Sequence, residues 1–446
     1  MLTPFQRLHT FIQDLRTKGV VSDDECTEMS DCLFELTFDQ KTYDHEMNAR
    51  GVDNNTRSLL CASGMHIVTS QTSRPTVIEP QQVLDAVSKQ AEALPAAIPA
   101  SAPSDAAALQ ELAELDFDTY HFETWQVPTF MFQMISDPSM KLMSRYKILP
   151  TMLQNWIQKT CGLYNNNPYH NVRHALCVTQ FVYATLTKGC ASQFFNFKDV
   201  LCLLVAGVGH DVAHPGVTNA FLAKTNNEWA IRYNDNSVLE NLHASVIFQV
   251  MSEPNHNFLS GLQRYDYELV REKIIRMVLA TDMNHHFSMV EQLQSRVGDF
   301  RSGNAFLTDT KHDREKQKSS KNDRRLLMEA LLHFGDLNNC HRPWRVYKHL
   351  VGLLEMEFHA QGDLERQIGL PVSAMMDRSK DNLIAQQTGW ISFVIKPLFV
   401  ELKVILQTAS QQWVEQLENN VETNLQNVKS EIAAKEAKEV EDKAAD

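Results

Sequence analysis

Apolar residues recur along this chain at intervals of three and four rather than in alternation, which predicts an all-α fold. Phe5, Leu8, Ile12 and Leu15 form one helical stripe. Gly19 breaks it, and Ser22 with Glu25 makes a capping box that opens a second stripe of Met29, Cys32, Leu33 and Leu36. This reads as a helical hairpin, either packed on the main domain or acting as a regulatory or dimerising module, and residues 1–93 are expected to form a small helical N-terminal region. Leu94 to Ser104 supply Pro, Ala and Ser without a period, so a linker is expected over residues 94–111 and a compact multi-helix domain over 112–415. Between Val297 and Arg325 the chain turns polar and charged, with two glycines, which reads as a surface loop, either a solvated insertion or a lid. From about Asn419, Glu, Lys and Ala alternate with few apolar anchors. Residues 416–446 therefore read as a charged, solvated helix or tail, with a coiled-coil contact as the minor reading.

Composition narrows the chemistry. Hydrophobic residues make up 43% of 446, enough for a sizeable core, and the 16 glycines fall well below the usual ~7%. A net charge of −13, from 42 basic and 55 acidic residues, argues against a nucleic-acid backbone as partner. An anionic substrate would have to be attracted locally, and bound divalent metals would do that. The eight cysteines show no Cys-x-x-Cys spacing and sit mostly among apolar neighbours, as reduced thiols do. The longest apolar stretch, near Val200 to Val208, is too short to cross a bilayer, and no signal peptide is evident. The expectation is a cytoplasmic protein without direct membrane insertion.

The candidate chemistry lies in three segments: Tyr169-His170-Asn171-Val172-Arg173-His174, then His210-Asp211-Val212-Ala213-His214-Pro215-Gly216, then His333-Phe334-Gly335-Asp336. Residues four apart share a helix face, so His170 and His174 can point into one cavity. His210-Asp211 adds an imidazole and a carboxylate able to reach two metals. Two imidazoles plus two carboxylates, from His174, His210, Asp211 and Asp336, suit zinc or a similar borderline ion. This is hydrolase chemistry.

The order His, His-Asp, Asp resembles the HD superfamily of metal-dependent phosphohydrolases. Further motifs narrow the resemblance: Tyr233-Asn234-Asp235 with Val238-Leu239-Glu240-Asn241, Thr281-Asp282-Met283, Gln361-Gly362-Asp363, Met376-Asp377-Arg378 and Gln387-Thr388-Gly389-Trp390. Their order and spacing are similar to those of the class I 3′,5′-cyclic nucleotide phosphodiesterases, over residues 113 to 412.

That resemblance implies the same four ligands, with zinc in a tight site and Asp211 bridging to a second, water-rich ion, magnesium or manganese. It implies that His170 is the general acid protonating the ribose O3′, the rival role being a fifth metal ligand. His214, Glu240 and Thr281 match positions that hold the water around the second ion; Tyr169, His243, Asp282 and His333 are expected to support the same site. Gln387 would read the purine edge, and Leu354 and Trp390, with Phe358 nearby, would sandwich the base. Ala213 departs from the usual aspartate and Trp390 from the usual phenylalanine. Asn339 matches a position carrying asparagine in several cyclic-AMP-selective relatives and in one cyclic-GMP-selective branch. The implied activity is hydrolysis of cyclic AMP or cyclic GMP to the 5′-monophosphate by a two-metal mechanism with a histidine acid, cyclic AMP weakly preferred. The alternatives are a silent cyclic nucleotide sensor or another HD-type nucleotide phosphohydrolase. Beyond the cyclic nucleotide, the expected partner is a second copy through N- or C-terminal helices.

Overall fold

The computed structural model describes residues 110–301, 314–380 and 382–445. The expected N-terminal hairpin and nearly all of the expected linker lie outside these residues. Among the described residues the fold is helical without strands, as the three- and four-residue spacing predicts.

Fifteen α-helices follow in order among the described residues: α1 Val127–Ser136, α2 Leu142–Arg145, α3 Pro150–Gly162, α4 Val172–Thr187, α5 Phe197–Gly209, α6 Asn219–Lys224, α7 Glu228–Arg232, α8 Val238–Ser252, α9 Arg264–Leu279, α10 His286–Arg301, α11 Arg314–Leu337, α12 Trp344–Gln367, α13 Leu383–Trp390, α14 Lys396–Leu406 and α15 Gln411–Ala445. Local sequence sets their starts. Pro128 and Pro150 occupy the first turns of α1 and α3, where a missing N–H costs nothing. Asn171 caps α4 by accepting from the Arg173 N–H, and Asn196 with Asp199 forms a capping box on α5.

Helix α4 is the central element. Every residue from Arg173 to Leu186 is buried, because α4 packs on α1, α5 and α11 at once. Two glycines permit that closeness. A Cβ on Gly207 of α5 would lie 3.1 Å from Thr179 Oγ1, and one on Gly335 of α11 would lie 2.8 Å from the Phe181 ring. Both glycines sit within three residues of a candidate ligand, so the helices carrying His174, His210 and Asp336 meet where those side chains point.

The segment before α1 is strapped to this centre. Gln180 donates to the carbonyls of Leu112 and Glu114, both at 2.8 Å, Arg173 to Thr119 at 2.9 Å, and Arg342 to Phe117 at 3.0 Å. These bonds satisfy carbonyls that burial would otherwise leave unpaired.

Two sequence expectations need correction. The charged stretch expected as a loop is helical from Arg314 onward, with Lys321 and Asn322 exposed and Asp323 buried, held by Arg296 through bonds of 2.6 and 2.9 Å. The domain limit expected at 415 falls inside α15, whose Trp413, Leu417, Val421, Leu425 and Val428 are buried on the core. Spaced three or four apart, these anchors form a complete stripe that the surrounding Glu and Asn residues obscure in the sequence.

Candidate active site

The C-terminal ends of α5 and α11 and the start of α4 deliver four groups to one point. His174 Nε2 lies 2.9 Å from Asp336 Oδ1 and 3.3 Å from Asp211 Oδ2, and His210 Nε2 is 3.4 Å from each of those oxygens. The two Nε2 atoms are 3.2 Å apart, and the four ligand atoms fall within 4.8 Å of one another. His210 Nδ1 is 3.0 Å from the Gly207 carbonyl, which can only accept, so that nitrogen carries a proton and Nε2 is the atom that would ligate a cation. Burial lowers the pKa of His210, but Asp211 and Asp336 outweigh it and lift it to about 9. The site therefore demands positive charge, and this donor set fits a divalent cation.

Beside the quartet stands His170. Its Nδ1 is 2.5 Å from Glu357 Oε1, while Glu357 Oε2 accepts from the backbone N–H groups of Tyr169 and His170, both at 2.9 Å. Burial pulls His170 toward neutrality, but Glu357, with help from Asp211, raises it above its ordinary value. Glu357 itself is pushed up by burial and pulled down further by His170, to about 2. A stack continues from His170 to His214, with ring centroids 4.2 Å apart at 19°. His214 Nδ1 accepts from the Gly216 N–H at 3.0 Å, and burial followed by the nearby His170 lowers its pKa to about 3. The two stacked rings are thus shifted in opposite directions, His170 toward the charged form and His214 toward the neutral one.

All these groups face a cleft of ≈ 1190 Å³ counting its open mouth, a size that accommodates a nucleotide. Its wall includes His170, Asp211, His214, Glu240, Thr281 and Asp336, and further along Tyr169, Asn339, Leu354, Phe358, Gln387 and Trp390. His174 and His210 lie behind the wall, fully buried. Of the candidate residues from the sequence, all but His174, His210, Asp282 and His333 line this cleft. Glu240 accepts two bonds from Asn219, at 2.9 and 3.2 Å, and burial, then Asp282, raises its pKa well above the usual carboxylate range. Thr281 gives its hydroxyl proton to Val278 O at 2.7 Å. Asp282 and His333 stand outside the wall: Asp282 accepts from Ser237 at 2.7 Å, and His333 Nε2 faces His286 Nδ1 at 3.0 Å.

The family model described as 3′5′-cyclic nucleotide phosphodiesterase matches residues 169–417, which hold all of these groups. The chain belongs to that family. Among curated relatives, the probable 3′,5′-cyclic-AMP phosphodiesterase pde-4 of Caenorhabditis elegans is 33% identical over 282 residues, covering 63% of this chain and 40% of that protein. The human high affinity cGMP-specific 3′,5′-cyclic phosphodiesterase 9A is 31% identical over 291 residues, covering 65% of this chain and 46% of the relative. The chain thus spans less than half the length of either. The crystal structure of the phosphodiesterase domain of Salpingoeca rosetta rhodopsin phosphodiesterase superposes with a TM-score of 0.65 at 28% identity, covering 77% of this chain and 98% of that one. As in that family, the fold is a helical catalytic-domain architecture of the HD type, and no described helix is long and apolar enough to cross a membrane.

Sequence reasoning missed Glu357, the carboxylate behind His170. It also missed Tyr347, whose hydroxyl donates to Gln387 Oε1 at 2.8 Å. A signal for Glu357 existed: it lies three residues after Leu354 and four before Gln361, a carboxylate on the helix face that lines the cleft.

Proposed function

We propose that this chain hydrolyses 3′,5′-cyclic nucleotides to 5′-monophosphates. The observation that carries this reading is the meeting, in one cleft, of the His174, His210, Asp211 and Asp336 quartet, the His170–Glu357 pair and the Gln387–Trp390 slot.

In this reading His174, His210, Asp211 and Asp336 would hold zinc, Asp211 would also serve a second ion, magnesium or manganese, and His214, Glu240 and Thr281 would line that second site. Bound there, the ions would supply positive charge to the phosphate and make a water molecule more acidic. The chain's own groups do the rest. Leu354 and Phe358 on α12 and Trp390 on α13 grip the base, and Gln387 meets its polar edge. His170, protonated and oriented by Glu357, gives its proton to O3′ as the P–O3′ bond breaks, while a water oxygen joins phosphorus and the proton that water sheds passes to solvent. The product is the 5′-monophosphate with a free 3′-hydroxyl, and His170 is left neutral, to be reprotonated from solvent.

Cyclic AMP is the weakly preferred substrate in this proposal. Asn339 donates one amide N–H to the Tyr169 hydroxyl, which leaves its carbonyl oxygen for the adenine amino group. Hydrolysis of cyclic AMP and cyclic GMP, assayed side by side with magnesium or manganese, tests the proposal. Turnover of neither would overturn it, and cyclic GMP preferred tenfold would remove the Asn339 argument alone.

A further inference from the structure

Asn167 lies three residues before His170 and is fully buried. Its Nδ2 donates two hydrogen bonds, to the His170 carbonyl at 2.8 Å and to the His214 carbonyl at 2.7 Å. Both partners only accept, so the orientation of the amide is fixed: the nitrogen must face them. The other end, Oδ1, is buried without a hydrogen-bond partner, so the side chain sits in a place that rewards its donors alone. Its own carbonyl accepts from Asn171 Nδ2 at 2.9 Å, which ties the turn to the cap of α4.

These bonds tie two loops together through the residues that carry the stacked rings. One leads into α4 and carries His170; the other follows α5 and carries His214. Their rings stack at 4.2 Å, and the stack persists only if the two backbones keep one spacing. Glu357 fixes His170 from one side, through its ring and its N–H. Asn167 fixes the same residue from the other, through its carbonyl.

We infer that Asn167 is a positioning residue for proton transfer, acting through His170 and His214 by setting the spacing of the loops that bear them. This rests on the phosphodiesterase reading of the cleft. Its chemistry is specific: two donors on one short side chain, which neither an acid nor a hydroxyl supplies. Neighbouring Asn165 also donates to the His214 carbonyl, at 2.8 Å, but does not bridge to His170, so it provides an internal control.

The test compares Asn167→Asp, equal in size but without the N–H donors, with Asn165→Ala in the full chain. For Asn167→Asp, kcat for the preferred cyclic nucleotide should fall ~10- to 10²-fold, the scale of a small misplacement of a catalytic group. KM and bound metal should stay within twofold of wild type, since an interaction made only in the transition state lowers kcat and kcat/KM equally. The loss should shrink for a cyclic nucleotide with sulfur in place of the 3′ bridging oxygen, which departs without a proton. Asn165→Ala should cost less than threefold. If Asn167→Asp does not fold, Asn167→Ser, which keeps one donor, must show the same kcat loss at unchanged KM. An unchanged kcat, or KM and metal content changing in proportion to the loss, would overturn the inference. Wild-type chain that hydrolyses no cyclic nucleotide would instead overturn the function on which it rests.

Discussion

Glu357 Oε1 and His170 Nδ1 meet at 2.5 Å across 187 positions of sequence, joining the middle of α12 to the loop before α4. The contact fixes which ring nitrogen faces the carboxylate and leaves Nε2 as the nitrogen that would protonate O3′ in the proposed reaction. It also sets the proton affinity of the imidazole, because Glu357 is 3% exposed at its side chain and little water screens it.

The pH consequence follows from the sign of the shift. A general acid works while protonated, and His170 is raised above its ordinary value despite burial, so the alkaline limb of kcat/KM should lie above ~6.5. Glu357→Gln removes the charge and leaves burial to act alone. The limb should then move to lower pH, with kcat down by ~10² at neutral pH. A pH–rate profile of the variant checks this; a limb that stays in place would mean that another group supplies the proton.

Removal of Asp211 or Asp336 tests the quartet. Each carboxylate faces both imidazoles within 3.4 Å, and no neighbour replaces it. Asp336→Asn or Asp211→Ala should abolish hydrolysis and lower bound metal measured by elemental analysis, while the helical circular dichroism persists. More than about a tenth of the activity remaining would contradict the ligand assignment, since even outer partners of a metal cost ~10-fold when lost. Chelation of wild-type chain should lower Tm, and added zinc or manganese should restore it, because an ion bound only to the folded state stabilises it.

A glutamine amide presents one donor and one acceptor and can serve either purine by flipping. The structure pins the amide of Gln387 instead. Oε1 accepts from Tyr347, and Nε2 donates to the Leu383 carbonyl at 3.3 Å, an acceptor that resists the flipped form. Tyr347→Phe should free the amide and move the ratio of kcat/KM for cyclic AMP and cyclic GMP toward one, by about fivefold if one bond of ~1 kcal/mol is released. An unchanged ratio would assign selectivity elsewhere, with Asn339 the next residue to replace.

Ala213 has φ of 65°, in the left-handed region where a Cβ is strained. The aspartate expected there tolerates this conformation better than alanine does. Ala213→Asn should therefore raise stability by about 1 kcal/mol in urea denaturation, the scale of the left-handed penalty. A stability change below zero would show that the new side chain meets an obstacle on the cleft side.

The quartet was legible in part because its chemistry is local: His210 and Asp211 are adjacent, and His174 follows His170 by four residues, although His170 lies in the loop before α4 and not on its face as the spacing suggested. Helical periodicity made the fold class legible for the same reason. Glu357 and Asn167 were not, because each is one polar residue whose meaning depends on its partner. For Glu357 that partner is 187 positions away. For Asn167 it is a pair of carbonyls, which leave no trace in side-chain pattern. The stripe on α15 was hidden differently, by polar residues that outnumber its anchors.

That stripe leads to the last prediction, on the C-terminal helix. Asn424 of α15 is buried, and its Nδ2 donates at 2.7 Å to the carbonyls of Cys340 and Arg342; Asn420 donates to His341 at 2.7 Å. These bonds hold the turn immediately after Asp336 and Asn339, so α15 supports the cleft from behind. Truncation after Ser430 removes the Lys348–Glu431 pair, whose lysine is 52% exposed, and Ile432, which is partly buried on the core, and should lower stability by only ~1–2 kcal/mol. Truncation after Ser410 would strip Trp413, Leu417, Val421, Leu425 and Val428 from the core, and at ~1.5–3 kcal/mol for each large apolar side chain it should leave no stable fold. Between these extremes, Asn424→Ala should cost about 1–3 kcal/mol, the usual price of buried carbonyls left unpaired. Because the freed turn carries Asn339, it should also raise KM for the cyclic nucleotide. Thermal melts and steady-state kinetics of the three variants check this, and a chain ending at 410 that melts like wild type would show that α15 is an appendage after all.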